Sequence, residues 1–300
     1  MITVVGSANM DLIARVPLLP APGETVLGTS LRRAAGGKGA NQAVAIARAA
    51  GHVVLVCRLG KDAPGAELRE SLQRAGVIMD YVTDDPESPT GTALISVDEN
   101  GENSIVVIPG ANARMSPADV DRANDTIRRS TVLVAQLEIP PATVQYAVQV
   151  ARAAGTLTVL NPAPARTLEP TMLQLVDVLV ANEHEVSVLS GMGSPVDPAS
   201  AAHLLLDYGI TSVVVTLGSR GAVVVTEHEE TDIPAFPVEA VDSTGAGDAF
   251  VGNLARSLDA KQSVVQAARF AAAAAALSVQ EEGAQPSMPT LEQTERLLAG

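Results

Sequence analysis

The sequence predicts an α/β protein whose central sheet is mostly parallel, and two observations support this fold class. Short runs rich in valine and leucine alternate along the 300 residues with longer stretches of helical periodicity. The valine and leucine runs are continuous, which is typical of strands buried on both faces of a parallel sheet. Strands and helices that alternate in this way are the pattern of the α/β class.

Six segments are predicted as strands of the main sheet, and they span residues 3–5, 53–58, 132–135, 156–160, 178–180 and 212–216. Helical patterns are predicted at residues 40–50, 66–75, 117–127, 141–154, 183–190, 199–207 and 249–258. The alanine-rich run at 271–276 is predicted as a helix that packs closely against a neighbouring element.

Three segments depart from this alternation. Residues 24–33 show no helical period, and two extended segments at 90–97 and 103–108 flank an acidic, glycine-containing turn. These pieces can assemble a small sheet apart from the main one. They are either ordinary surface hairpins or a lid, which would exclude water from a reaction beneath it.

The composition argues against several classes of partner. Twenty basic residues against 34 acidic ones give a net charge of −14, and aromatic residues make up only 2% of the chain. Such a surface repels phosphate backbones and offers few stacking platforms, which argues against nucleic-acid binding. The longest apolar run, 270–277, is far shorter than the roughly 20 residues of a membrane span.

The single cysteine, Cys57, cannot form an internal disulfide and fits a reducing compartment. The first residues lack the basic region of a secretion signal. We therefore expect a cytoplasmic protein that acts on small molecules and has no membrane partner.

The strongest chemical signal lies at residues 240–250, where a glycine-rich turn leads into an apolar helix. Successive backbone N–H groups of Gly245, Ala246 and Gly247 are expected to point into one small space and bind an anion there. Asp248 follows in the first helical turn, where it can orient an attacking hydroxyl and accept its proton. Because a helix N-terminus favours a negative charge, we expect Asp248 to act through its position rather than through a raised pKa.

Two common nucleotide-binding fingerprints are missing. Gly37 and Lys38 are followed by Gly39 rather than by Ser or Thr, so no Walker A loop is present. The segment after the first predicted strand lacks the second and third glycines of a Rossmann loop. A nicotinamide-linked dehydrogenase is thereby disfavoured, and any nucleotide is bound in another way.

Further polar residues follow predicted strands or begin predicted helices. Asn9 and Asp11 follow the first strand, and Lys38 and Asn41 lie in a glycine-rich helix start. Ligands of open α/β sheets bind at the carboxyl ends of the strands. Each segment also has a purely structural interpretation, as an Asx turn and a helix-start turn respectively.

Carboxylates follow two more strands. Glu138 comes after the strand at 132–135, while Asn182 and Glu185 follow the strand at 178–180. The three-residue spacing of Asn182 and Glu185 also suits a helix cap, which is the commoner reason for such a pair.

Six segments together resemble the ribokinase-type carbohydrate kinases, in the order expected of that family. They span residues 6–11, 36–42, 161–165, 182–185, 242–248 and 283–287. The resemblance implies a three-layer α/β/α fold over a single domain, 1–300, with a β-sheet lid from roughly 11–35 and 90–109 that also forms a homodimer interface. It implies transfer of the γ-phosphoryl group of ATP to O5 of D-ribose, with Mg²⁺ required and a monovalent cation, usually K⁺, as activator.

The resemblance also implies roles for individual residues. With Asp248 as the base, the sugar contacts would be Asn9, Asp11, Gly37, Lys38, Asn41 and Glu138. The nucleotide contacts would be Asn182, Glu185, Thr216, Gly218, Ser219, Gly221 and Gly247. The monovalent cation would be bound by oxygens of Asp242, Thr244, Ser278, Glu281, Gly283 and Ser287. Ala272 stands where the family often has Asn or His near the adenine, so a polar contact to the base is lost.

Two alternatives stay open at this point. The same scaffold serves kinases of other sugars or of nucleosides, such as deoxyribose, fructose or adenosine. A catalytically silent sugar-binding protein is the other, and it would be expected to lack the anion-binding turn or the base, both of which are present at 245–248.

Overall fold

A computed structural model of the chain describes residues 1–193 and 197–300. Its strands are β1 Ile2–Val5, β2 Asn9–Arg15, β3 Ser30–Gly36, β4 Val53–Gly60, β5 Ile78–Asp85, β6 Gly91–Val97, β7 Asn103–Ile108, β8 Val132–Ala135, β9 Leu157–Leu160, β10 Val178–Asn182, β11 Ser212–Thr216, β12 Ala222–Thr226 and β13 Glu230–Ile233. Its α-helices are α1 Lys38–Arg48, α2 Ala63–Arg74, α3 Pro117–Arg122, α4 Asn124–Arg129, α5 Pro141–Ala153, α6 Pro170–Leu173, α7 Glu183–Ser190, α8 Pro198–Leu206, α9 Ala246–Asp259, α10 Val264–Ser278, α11 Ala284–Ser287 and α12 Leu291–Ala299.

The central sheet has nine strands in the order β13-β12-β11-β10-β9-β8-β1-β4-β5. Neighbouring strands from β5 to β11 all pair in parallel. At the other end of the sheet, β12 pairs antiparallel with β11, and β13 pairs antiparallel with β12. All six predicted strands lie in this sheet, so the predicted mostly parallel α/β architecture is confirmed. The prediction missed β5, which has a mixed burial pattern, and the β12–β13 hairpin.

Apolar side chains of the sheet alternate between two cores. Val4 belongs to the core that the sheet shares with α1, α9 and α10 on one face, while Val5 belongs to the core shared with α5 and α8 on the other. The three α/β/α layers follow from this alternation, since each strand buries both of its faces. Strand β4, next to the edge strand β5, carries Cys57, which is fully buried, and burial raises the pKa of its thiol to about 12.

Close helix packing explains the small residues of α9 and α10. Ala271, Ala273 and Ala274 are completely buried, as the prediction for the alanine-rich run at 271–276 required. Gly252 lies where α9 approaches α1, and a Cβ there would come within 2.6 Å of the Cβ of Ala45. The predicted helix at 117–127 is wrong as one unit, because Ala123 leaves helical geometry and separates α3 from α4.

A second sheet stands apart from the first and has the order β3-β2-β6-β7. The segments predicted at 90–97 and 103–108 form β6 and β7, joined by a turn in which the carboxylate of Asp98 accepts the N–H groups of Asn100 and Glu102, both at 2.9 Å. The prediction for 24–33 is wrong in most of its length, because the strand of that region is Ser30–Gly36. The prediction also missed β2, which starts only three residues after β1 ends.

Within the ranges 1–193 and 197–300, no helix combines the length and the apolar character that crossing a membrane requires.

Candidate active site

The predicted functional residues meet at the carboxyl ends of the central strands, where helices α1 and α9 begin. A cavity of about 240 Å³ opens there, and its lining includes Lys38, Asn182, Glu185, Thr216, Gly245, Gly247 and Asp248. Residues that are more than 200 positions apart in the sequence, such as Lys38 and Asp248, therefore share one wall. The sheet arrangement, with parallel strands ending together, produces this site.

The start of α9 forms the floor of this cavity. Gly245 caps the helix with a left-handed backbone, φ 79°, and a Cβ on it would lie 2.8 Å from the Cα of Ala284. A Cβ on Gly247 would meet nothing within 4 Å, so this residue faces open space. The expected row of three amides is not fully formed, because the N–H of Ala246 turns back to the carbonyl of Ser243 at 3.2 Å. Gly245 and Gly247 line the cavity; Ala246 does not.

Asp248 is buried in the first turn of α9, and both of its oxygens accept hydrogen bonds from side-chain amides. Asn41 donates to Oδ2 and Gln42 donates to Oδ1, each at 2.9 Å. Burial raises the pKa of Asp248 above its usual value, although Lys38 and the two amides act in the opposite direction. This differs from the sequence-based expectation that Asp248 acts without a raised pKa, because desolvation outweighs the opposing contributions of Lys38 and the two amides.

Lys38 lies between the acidic residues of the site. Burial alone lowers its pKa, but the negative charges of Asp248, Glu138 and Glu185 more than compensate, and the pKa is raised. Glu138 is held in place by the hydroxyl of Ser7 and by the backbone N–H of Lys38, the latter at 3.0 Å. A permanent positive charge is thus fixed beside Asp248.

Asn9 and Asp11 reach the site from β2, which belongs to the small sheet. The Oδ1 of Asn9 accepts a hydrogen bond from Asn112 at 2.7 Å, and Asn112 is itself tied to the backbone of Ala8. The carboxylate of Asp11 fits against Gly36, where a Cβ would lie 2.1 Å from Oδ2. Burial, together with the charges of Glu138 and Asp248, raises the pKa of Asp11 to about 7.

The helix start of α1 depends on Gly37. Its φ of 87° is unfavourable for other residues, and a Cβ would lie 2.6 Å from the backbone nitrogen of Asn9. The two strand-end segments, 6–11 and 36–42, therefore touch through their backbones. Gly37 serves as the N-cap residue of α1, so the helix-start interpretation of this segment is confirmed.

Asn182 and Glu185 form a helix cap and also line the cavity. The Oδ1 of Asn182 accepts the N–H of Glu185 at 2.8 Å, and the carboxylate of Glu185 accepts the N–H of Asn182 at 2.9 Å. The capping interpretation is therefore confirmed for this pair. Thr216, at the end of the neighbouring strand β11, completes this end of the cavity.

Three further predicted nucleotide residues lie beyond the cavity wall. Gly218 and Ser219 belong to a short 3₁₀ turn after β11 and are exposed. Gly221 ends this turn with φ 95°, and a Cβ there would lie 2.0 Å from the carbonyl oxygen of Ile233. Ala272 lies within the core formed by α9 and α10 and is almost completely buried.

The loop before α9 packs against the segment after α10. Asp242 accepts the hydroxyl of Thr244 at 2.6 Å and the N–H of Gly283 at 2.8 Å, and Val241 donates to the carbonyl of Val279 at 2.7 Å. Two segments that both carry predicted cation ligands are thereby brought together. Their donors are oxygens, which is the ligand chemistry that a hard monovalent cation takes.

Other predicted cation ligands take part in local helix contacts. The hydroxyl of Ser278 donates to Ala275 at 2.9 Å, and that of Ser287 donates to Ala284 at 2.8 Å. Glu281 lies in the turn that follows α10 and donates its N–H to the carbonyl of Ser278 at 3.4 Å. Among residues 1–193 and 197–300, no cluster of three or more His, Cys, Asp or Glu side chains is placed to bind a metal.

Several site residues escaped prediction, namely Gln42, Asn112, Gln136, Asn161 and Gln285. All are buried polar side chains with hydrogen bonds to other site residues. The signal that was available is an amide in an otherwise small or apolar helix, because a buried amide requires partners. Gln42, among the alanines of α1, is such a case.

Comparison with known proteins agrees with this geometry. The profile of the pfkB family carbohydrate kinases matches residues 1–291. The ribokinase of Haemophilus influenzae is 39% identical over 295 residues, which cover 98% of this chain and 96% of that protein. The deoxyribokinase of Salmonella typhimurium is 38% identical over 303 residues, covering 99% and 98% respectively.

A solved structure extends the comparison to the fold. The structure of Arabidopsis thaliana ribokinase complexed with ribose and ATP superimposes with a TM-score of 0.93 at 34% identity, and the match covers 100% of this chain and 98% of that one. The family resemblance that the six motifs carry is confirmed over the whole chain. The chain belongs to the pfkB family of carbohydrate kinases.

Proposed function

We propose that this protein transfers the γ-phosphoryl group of ATP to O5 of D-ribose and releases ribose 5-phosphate and ADP. One observation carries the proposal: Asp248, a buried carboxylate held by two amides, faces the same cavity as Gly245 and Gly247. A base and an anion-binding helix start are thereby placed side by side. The similarity to ribokinases over almost the full length supports ribose as the acceptor.

The sugar is bound, in this proposal, between the small sheet and the start of α1. Asn9 and Asp11 come from β2, and Lys38 and Asn41 come from α1. These groups offer carboxylate, amide and ammonium partners to neighbouring hydroxyls, and Glu138 adds a further acceptor. Gly37 allows the backbones of the 6–11 and 36–42 segments to approach each other closely, which brings their side chains to the same place.

Phosphoryl transfer then requires alignment and charge stabilisation more than strong base catalysis. Asp248 orients the O5 hydroxyl and accepts its proton as the bond to phosphorus forms. Burial raises the pKa of Asp248, which makes the ionised carboxylate a stronger proton acceptor than an exposed aspartate. The N–H groups of Gly245 and Gly247 and the positive charge of Lys38 stabilise the negative charge on the transferred group.

The nucleotide occupies the other end of the cavity, beside Asn182, Glu185 and Thr216, with Gly218, Ser219 and Gly221 beyond. Mg²⁺ is usually held by substrate phosphates and one or two carboxylates, and Glu185 is the carboxylate at this end. A monovalent cation would be held by oxygens of the 242–244 and 278–287 segments. Its charge would support the conformation of the loop before α9.

The small sheet of β2, β3, β6 and β7 acts in this proposal as a lid and as the surface of a homodimer. β7 is its outer strand, and Ile105, Val106, Val107 and Ile108 are all between 42% and 57% exposed. Consecutive exposed apolar residues on an edge strand favour a partner that covers them. The cytoplasmic location expected from the single cysteine stays a prediction.

Phosphorylation of 2-deoxyribose is the second candidate. A deoxyribokinase is almost as similar to this chain as a ribokinase is, with 38% against 39% identity. The two substrates differ only at the 2-hydroxyl, so discrimination depends on the polar contacts to that group. Fructose and adenosine are further acceptors to compare, and a non-catalytic protein is disfavoured by the intact turn at 245–248.

An ADP-release assay across D-ribose, 2-deoxyribose, fructose and adenosine tests the substrate, and we expect the highest kcat/KM with D-ribose. Asp248→Asn should lower kcat by about 10³-fold or more, because the proton acceptor is lost, while ribose binding by calorimetry is retained. Wild-type activity with no preference for ribose would overturn the assignment of the sugar. Unchanged turnover in D248N would remove Asp248 from its role.

A further inference from the structure

The carboxylate of Asp248 is bracketed by two consecutive residues of α1. The Nδ2 of Asn41 donates to one oxygen and the Nε2 of Gln42 donates to the other, both at 2.9 Å. Gln42 is completely buried and lies behind the carboxylate, outside the set of residues that line the cavity. Its side chain therefore acts on Asp248 rather than on a substrate.

The orientation of the Gln42 amide is fixed by its other contacts. Asn161 donates to the carbonyl of Val180 at 2.9 Å, so its Oδ1 is the atom that faces Gln42, at 3.2 Å. The Oε1 of Gln42 in turn accepts the amide of Gln136, which is also completely buried. If the Gln42 amide were reversed, its oxygen would face the Oδ1 atoms of Asp248 and Asn161, and neither of these oxygens can donate a hydrogen bond. The N–H is therefore constrained to point at Asp248.

Asn41 is oriented in the same way from the opposite side. Its Oδ1 accepts the amide of Gln285 at 3.2 Å, and the oxygen of Gln285 accepts the hydroxyl of Ser71 at 3.3 Å. Asn41 and Gln285 are both buried. Each oxygen of Asp248 is thus held by an amide that a second buried amide orients.

We propose that Gln42 and Gln285 are positioning residues, which fix the carboxylate of Asp248 in the plane and orientation needed to accept the proton of the sugar hydroxyl. This inference rests on the proposed function, in which Asp248 is the base. Neither glutamine needs to contact the sugar or ATP. Gln42 acts directly on Asp248, and Gln285 acts through Asn41.

The surroundings of Asp248 make its protonation sensitive to Gln42. The charged groups that face it are Lys38 from α1, Asp11 from β2 and Glu138 after β8. Burial and the two acidic neighbours favour the neutral form, whereas Lys38 and the two amide donors favour the ionised form. Removing one donor therefore shifts the balance towards the protonated acid, which cannot accept a proton.

Gln42→Met tests the proposal, since methionine has a similar volume but no donor. We expect kcat to fall about tenfold to a hundredfold, the range for a lost hydrogen bond to a charged group, with little change in the KM for ribose. The acid limb of the kcat pH profile should move to higher pH. A ¹³C NMR titration of the Asp248 carboxyl should show a raised pKa in the variant, and this readout does not depend on turnover.

Asn253→Leu is the matched control. Asn253 is a completely buried amide on α9 that donates to the carbonyl of Ala249 at 2.8 Å and has no contact with Asp248. This variant should keep the wild-type kcat, pH profile and Asp248 titration. Gln285→Met should shift the acid limb in the same direction as Gln42→Met, by a smaller amount.

The outcomes separate this inference from the proposed function. A folded Gln42→Met enzyme with the wild-type pH profile and Asp248 titration overturns the positioning role, even if wild-type ribose kinase activity is established. Equal losses in Gln42→Met and Asn253→Leu without a pH shift overturn it as well. If Gln42→Met does not fold, Gln285→Met decides, and an unshifted profile there contradicts the proposal. A wild type inactive with every sugar contradicts the proposed function instead.

Discussion

At the scale of single residues, two glycines of α9 differ in what surrounds them. The difference distinguishes a glycine that faces a cavity from a glycine that allows helices to pack closely. Around Gly247 the space is open, and this space adjoins Asp248 in the cavity. Around Gly252 the space is filled, with the carbonyl oxygen of Gln42 2.8 Å from a Cβ built on the glycine. The first glycine thus leaves a space beside Asp248 that is open to a ligand, and the second is required by helix packing.

Substitution of each glycine by alanine should therefore have different effects. Gly247→Ala places a methyl group where the transferred phosphoryl group is expected, so kcat should fall about a hundredfold. Its free energy of unfolding should rise slightly, by up to about 1 kcal/mol, because alanine favours the helix. Gly252→Ala should instead lower the free energy of unfolding by about 1–3 kcal/mol through overpacking. Steady-state kinetics and urea denaturation measure both effects, and a fully active Gly247→Ala enzyme would contradict the phosphoryl position.

At the scale of elements, the residues proposed to bind the sugar are divided between the small sheet and the elements that follow strands of the central sheet. β2 carries Asn9 and Asp11, and it is separated from β1 by only three residues, so strand β1 of the central sheet leads almost directly into the small one. The outer strand β7 of the small sheet exposes a run of four β-branched residues. Such an uncovered edge is a pairing surface, and a defined dimer would protect it from aggregation.

A charge in this run should weaken the proposed homodimer. Val106→Asp introduces a carboxylate into the apolar surface of β7, and its burial against a partner would be unfavourable. Sedimentation velocity should show a dimer for the wild type and mostly monomer for the variant. Leu204→Asp, at an exposed position on α8, should leave the sedimentation of the wild type unchanged. A monomeric wild type at micromolar concentration would contradict the role of this sheet in dimerisation.

At the scale of the whole molecule, one arginine joins three elements at the edge of the central sheet. Arg58 on β4 contacts Asp119 on α3 at 3.0 Å and Asp85 on β5 at 3.1 Å. Burial alone raises the pKa of Asp119, but the hydrogen bonds from Arg58 and Ser116 more than compensate and hold it below its usual value. Folding is therefore coupled to the ionised form of this carboxyl.

Acid should consequently remove part of the stability. The contribution of Asp119 is complete above the unfolded-state pKa of about 3.9 and is lost as the pH falls through the lower folded-state value. Asp119→Asn should cost about 1.5–3 kcal/mol at pH 7, the range for a lost hydrogen bond to a charged group, since it removes one of the two buried carboxylates that contact Arg58, and the cost should be less at acid pH. Urea denaturation between pH 3 and 7 measures this. Asp80→Asn, at an exposed position on β5, should show no such difference, and a pH-independent cost in Asp119→Asn would contradict the linkage.

The sequence predicted the parts of the molecule that depend on local pattern. Continuous valine and leucine runs identified six strands of the parallel sheet, and the glycine-rich turn at 245–248 identified the start of α9 with Asp248 in its first turn. It did not predict that burial raises the pKa of Asp248, because desolvation depends on elements that pack over the residue. Of the two amides that hold Asp248, Asn41 was expected only as a sugar contact and Gln42 was missed. Gln285, which contacts Asn41, was missed as well, because it is far away in the chain and no local spacing connects the two.

The burial of Cys57 provides a means to observe unfolding. Its thiol lies in the middle of β4, is completely buried and has a raised pKa, so a thiol-specific dye should not label the native protein. Labelling then requires the opening of β4, which lies between β1 and the edge strand β5 and is covered on both faces. The rate at which the dye is incorporated should therefore report global opening of the protein directly, without an engineered probe.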